Sequence, residues 1–196
     1  MADGSPGPAA PDFRCRCGTL HGHLSPKGLR RGTHVACFCA DCRANELAHG
    51  QPDPAPEPVG LFQLSAQEIR FDGGFDQLAL MQLSPKGLYR WYARCCDTPM
   101  FNTLSSPALS FAAIRTACLD DPARLGPLRG RAFVPQAAGK PKMEGLVPVI
   151  RGFAVRALAG RLTGGWRRSP FFDAAGAPIV SPRVLSRTER AALYDR

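Results

Sequence analysis

The 196-residue sequence has no uninterrupted apolar run approaching the length of a helical membrane span, so no membrane partner is expected. Its opening residues, MADGSPGPAAPDF, lack the basic start, apolar h-region and cleavage pattern of an export signal. A cytoplasmic address is therefore expected. Acidic residues are scarce in one place only: residues 129–196 hold 13 Lys/Arg against 4 Asp/Glu, while residues 1–128 hold 12 of each. Cysteine is missing from that same basic stretch, because all eight lie at or before Cys118. In a reducing compartment, and with enough chain to bury a core, these thiols are not needed as a disulfide framework. Clustered thiols there point to metal or catalysis.

What is present fits a globular chain, with 44% apolar and 21% charged residues. Residues 1–12, rich in Gly, Pro and Ala, are expected to be disordered. From Phe13 onward, short runs such as THVACFC, LFQL, QLALMQL and LYRWYARC alternate with turn signals, which predicts antiparallel strands, although QLALMQL suits a helical turn equally. QPDPAPEP (Gln51–Pro58) reads as an extended loop. Leu109, Ala112, Ala113, Ile114 and Ala117 recur at helical spacing after Ser105 and Ser106, which predicts a helix over 107–119. LSPKGL occurs twice, at Leu24–Leu29 and Leu83–Leu88, each time with a cysteine 13 residues after its first Leu. Two turns with Gly at positive φ, each leading a thiol to one shared place, would explain the echo. In the tail, a helix is expected over Val149–Leu162, and a short one in TERAALYDR capped by Ser186 or Thr188.

The thiols form three groups, CRCG (Cys15, Cys17), CFCADC (Cys37, Cys39, Cys42) and RCCDTP (Cys95, Cys96), with Cys118 apart. C-x-C and C-x-x-C suit a tetrahedral metal because a tight turn aims both sulfurs at one point. Four such ligands close a structural site; three leave a position for water or substrate. Cys118 is expected to be a buried apolar residue. Of the histidines, His21 and His23 are expected on a strand near Cys17, within reach of a metal. His34 is a possible proton acceptor near Cys37, and His49 is expected to be solvated.

Taken together, C-x-C-G, then C-x-C-x-x-C-R, then Cys96-Asp-Thr-Pro resemble the glutathione-dependent formaldehyde-activating enzyme family, which includes centromere protein V. The resemblance spans about Phe13 to Leu104. It implies a mainly β, Mss4-like fold of coiled antiparallel sheets held by zinc over 13–119, with a helical or irregular basic extension over 120–196. It also implies one or two zinc ions. A structural zinc would fall on Cys15, Cys17 and Cys96. Where that family has its other cysteine this chain has Ala93, which leaves the fourth ligand open: Cys95 through a local turn or bulge, a water, His21 or His23, or no metal at this site. An exposed zinc would fall on Cys37, Cys39 and Cys42, with Cys39 the ligand able to leave and Arg43 the nearest cation for a carboxylate of glutathione. The implied activity is a carbon–sulfur lyase-type reaction on a glutathione-like thiol adduct. Two other readings remain: a zinc-stabilised scaffold whose residues 129–196 bind nucleic acid or another polyanion, and a thiol-redox role for Cys95–Cys96 and Cys37–Cys42.

Overall fold

A computed structural model describes residues 11–195. Residues 1–10 of the stretch expected to be disordered lie outside the described residues, whereas Asp12 already opens the first strand. In chain order the strands are β1 (Asp12–Arg14), β2 (His21–Leu24), β3 (Thr33–Cys37), β4 (Val59–Leu64), β5 (Ile69–Gly73) and β6 (Leu78–Gln82). They continue with β7 (Tyr89–Ala93), β8 (Thr98–Thr103), β9 (Ala112–Arg115), β10 (Gly130–Val134), β11 (Lys142–Glu144) and β12 (Arg183–Val184). The α-helices are α1 (Pro26–Arg31), α2 (Ala40–Ala48), α3 (Leu146–Leu162) and α4 (Arg187–Tyr194). The protein is mainly β. A small sheet runs β1-β2-β5, and a large one runs β11-β10-β3-β4-β9-β8-β7-β6-β12.

The core lies where the two sheets face each other. Phe13, Leu24 and Ile69 from the small sheet pack with Phe62, Leu80, Trp91, Phe101 and Ile114 from the large one. Phe13 meets Phe71 and Phe101 edge-on, at 5.5 and 5.2 Å between centroids. That geometry suits aromatic quadrupoles better than face-to-face stacking. β8 is buried at every position, as befits a strand with neighbours on both sides.

The helix expected over 107–119 is absent. Ser106 does cap, accepting from the Ala108 N–H, but only one 3-10 turn (Pro107–Leu109) follows before Ser110 enters the left-handed region at φ 44°. The chain then becomes β9, pairing Ala113 with Gln63 on one side and Asn102 on the other. A short, wholly apolar run such as AAI satisfies helical spacing and a buried strand equally, and tertiary pairing decides. The two LSPKGL copies also diverge. In the first, Ser25 caps α1 by accepting from Gly28 N–H at 2.9 Å; the second forms a turn closed by Gly87 N–H to Ser84. Gly28 and Gly87 are not among the residues with positive φ, and Cys37 and Cys96 are led to different places.

The segment from 120 onward is part of this architecture. β10 pairs parallel to β3, and β12 parallel to β6, so the basic third of the chain supplies both ends of the large sheet's order. α3 begins three residues earlier than the expected Val149, at Leu146, and crosses β10 closely. A Cβ on Gly130 would lie 2.6 Å from Val149 Cγ2, so only glycine fits that crossing. α4 starts with Ser186 in a capping box with Glu189, as its sequence suggests. Among the described residues no helix is long and apolar enough to cross a membrane.

Candidate metal centres

Seven of the eight cysteines gather into two groups, Cys15/Cys17/Cys95/Cys96 and Cys37/Cys39/Cys42. Within each group the sulfurs all lie within 4.8 Å of one another. All are free thiols. Sulfur pairs in the first group sit at 3.4–3.9 Å, well beyond a disulfide bond of roughly 2 Å. They match the ~3.8 Å edge of a tetrahedron with ~2.3 Å metal–sulfur bonds. Both groups could therefore hold a metal ion.

The first group is built by two turns. Cys15 follows β1 and is fully buried, with the Leu20 N–H donating to its sulfur at 3.3 Å. Across from it, residues 94–97 turn between β7 and β8, with Asp97 at φ 51° in a region Asp tolerates. That turn frees Cys95 and Cys96 from strand alternation and lets both join the cluster. Ala93, where the resembling family has a cysteine, ends β7 inside the core. Hydrogen bonds from Thr19 bring the Cys17 thiol down to about 6. His21 and His23 are outside the cluster: His21 Nδ1 lies 3.2 Å from the Gly18 and Thr19 carbonyls, and His23 pairs with Asp72 at 2.8 Å.

The second group joins a strand end to a helix start. Cys37 ends β3, Cys39 is the N-cap of α2 with its sulfur accepting from Cys42 N–H at 3.3 Å, and Cys42 lies in the first turn. Cys37 and Cys42 are buried, while Cys39 is half-exposed. Hydrogen bonds from Cys37 and Cys42 pull Cys39 down to about 3, and the same contacts push Cys37 up to about 11 and Cys42 up as well. α2 is fixed to the sheet by Glu46, only 2% exposed, whose carboxylate meets Arg115 of β9 at 2.6 Å. Burial nevertheless pushes Glu46 up to about 7, and its Oε1 has no partner.

A cleft of about 810 Å³ opens beside these three thiols. Its floor includes Val35, Leu61 and Ala113 of the large sheet, and its roof is the β10–β11 hairpin with Leu146 and Val149 of α3. Phe133 stands half-exposed at the lip, at φ 58°. Arg90 of β7 reaches into this cleft, and the sequence reading missed it. It is 3% exposed and donates to Asn102 Oδ1 at 3.0 Å. It lies 3.9 Å from both the Cys42 sulfur and Asp41. Its one sequence signal is a charge set between Tyr89 and Trp91 in a strand that is otherwise apolar or aromatic.

The other expected residues fall as follows. Arg43 is held bidentately by Asp53, at 2.7 and 2.5 Å, beside a smaller hollow of about 130 Å³ that also touches Cys37 and Cys39. His34 stays out of the thiol cluster, 3.3 Å from the Gly126 carbonyl. His49 is not solvated. It is buried at the end of α2, with Nδ1 2.8 Å from the Asn45 carbonyl and its ring 4.4 Å from Tyr92. Cys118 is buried away from both clusters. Three of the tail arginines are engaged: Arg156 is buried on the Arg31 carbonyl and Thr33, while Arg131 and Arg183 pair with Glu144 and Glu189.

The model of a family of unknown function, DUF6151, matches residues 9–181. No curated protein matches the chain. The crystal structure of a Rhodobacter sphaeroides protein aligns with 60% of this chain and 96% of its own, at a TM-score of 0.41 and 20% identity.

Proposed function

The chain belongs to the DUF6151 family, whose function is unknown, and we propose that it is a zinc protein that makes or breaks a carbon–sulfur bond in a thiol adduct. In this reading its two sheets form the Mss4-like arrangement of the formaldehyde-activating family. The observation that carries it is an asymmetry between the clusters. One offers four sulfurs, the number that closes a tetrahedral site; the other offers three, beside a large cleft.

Zinc at Cys37, Cys39 and Cys42 supplies Lewis acidity and favours the thiolate form of an incoming thiol. The chain supplies the rest. Buried Cys37 and Cys42 would hold the ion from the sheet side, and partly exposed Cys39 is the thiol of the three that an incoming sulfur can reach. Arg90, 3.9 Å from both the Cys42 sulfur and Asp41, would divide its positive charge between that carboxylate and a thiolate-bound ion. The cleft walls keep water from the reacting atoms. In the forward direction sulfur attacks a carbonyl carbon and the S–C bond forms. The carbonyl π pair moves to oxygen, and the thiol proton ends on that oxygen. The reverse releases thiol and aldehyde.

The test is zinc content per chain for the wild type and a Cys37/Cys39/Cys42→Ser triple variant, with circular dichroism to verify the fold. Two zincs falling to one is the expected result. A single zinc unaffected by the triple change would remove the basis for this function.

A further inference from the structure

We propose that the substrate's sulfur carries an apolar alkyl or aryl body rather than the dicarboxylate body of glutathione. The sulfur end of this inference rests on the thiol-site reading above; the apolar body rests on the cleft alone. Four charged side chains line the cleft, and they cancel in pairs. Arg90 faces Asp41 at 3.9 Å, and Arg131 faces Glu144 at 3.8 Å while its guanidinium lies over the Phe38 ring at 5.2 Å. Asp41 also accepts from the Tyr194 hydroxyl. Arg43, the cation nearest the thiols in sequence, is taken up by Asp53 and does not line the cleft. No cation in the cleft is free to meet a carboxylate, and two carboxylates brought in would shed their water without repayment.

The remaining walls are mostly apolar, with Val35, Leu61, Phe111 and Ala113 on one side and Phe133 and Met143 on the other; the polar exceptions are Asn102, already taken up by Arg90, and Gln63. A volume of about 810 Å³ is in the range that encloses a small organic molecule. Phe133, half-exposed at the lip, presents an aromatic face to anything entering. A ligand with sulfur at Cys37/Cys39/Cys42 and a hydrocarbon body against these walls leaves no buried charge unpaired.

The experiment is a calorimetric titration of the full, zinc-loaded chain with ethanethiol, butanethiol, hexanethiol and glutathione, and with the thiol-free alcohols of the same chain lengths. Each added methylene should tighten binding by up to about four-fold until the cleft is full, in thiols and alcohols alike, and glutathione should bind more weakly than hexanethiol. Dissociation constants independent of chain length, or glutathione binding tighter than hexanethiol, would overturn the proposal. The Cys37/Cys39/Cys42→Ser variant separates the two readings. If the cluster is not a sulfur site, thiols and alcohols bind alike in wild type and variant, yet the methylene slope persists.

Discussion

Arg90 offers the sharpest test of how the second cluster works. Three thiolates around a divalent ion would leave one negative charge, and the guanidinium lies 3.9 Å from one of those sulfurs and equally far from Asp41, which shares its charge. At an effective dielectric of about 20, a unit pair at that distance interacts by about 4 kcal/mol. A charge-assisted hydrogen bond measured by mutation contributes about 1.5–3 kcal/mol. Replacing Arg90 with Met should therefore weaken metal binding at Cys37/Cys39/Cys42 by about 10- to 1,000-fold, since each 1.4 kcal/mol is tenfold. Arg90→Lys keeps the charge but loses the fork on Asn102, and should stay within about tenfold of wild type. The assay is competition with a chromophoric chelator at fixed pH, which resolves the two metals as separate phases. The four-sulfur phase serves as an internal control for folding. Met tolerated within twofold, or Lys as damaging as Met, would refute the electrostatic argument.

Two further outcomes test the framework around the sites. Phe171, fully buried against Trp91 and Phe101 at 5.0 and 5.3 Å, should lose about 3–5 kcal/mol of stability as Phe171→Ala. Leu162→Ala, at a side chain 78% exposed, should change it by less than about 0.5 kcal/mol. Urea unfolding at fixed free zinc measures both, and equal losses would mean that the tail does not pack as described. Glu46 holds its proton to about 7 in the fold but loses it near 4.5 when unfolded, so the native state binds more protons between those values. Its contribution is thus full below pH 4.5 and is lost as pH rises through 7. Glu46→Gln removes that dependence, so its stability relative to wild type should rise from pH 5 to pH 8. A constant difference would show that Arg115 keeps Glu46 ionised throughout.

Local chemistry made much of this protein legible. β3, β4 and β7 were readable because apolar and aromatic runs sat between turn signals, whereas the run that forms β6 suited strand and helical turn alike. The cysteine groups were readable because C-x-C and C-x-x-C encode their own convergence. Cys95 was one of several candidates for the first group, because strand alternation points it away from Cys96; the turn over residues 94–97 brings it in. Non-local partners were the blind spot. β9 looked helical because its strand neighbours both precede it, with Ala113 pairing 50 residues back to Gln63 and 11 back to Asn102. β10 gave no strand signal because its partner β3 is 95 residues away and runs parallel. Arg90 acquires its meaning only when β7 and α2 are brought together.

The two clusters also differ in how much chain each must gather. The second needs only the run from Cys37 to Cys42, whereas the first bridges separations of 78 and 80 residues. Loop-closure entropy makes the long closure about 2 kcal/mol costlier. During synthesis the short knuckle is complete almost as soon as it emerges, while Cys15 and Cys17 wait for the turn at Cys95 with their thiols open to oxidation or to the wrong metal. The three thiols of the second cluster are thus all present once Cys42 has been made, whereas the first cluster is complete only when Cys95 and Cys96, near the middle of the chain, have followed.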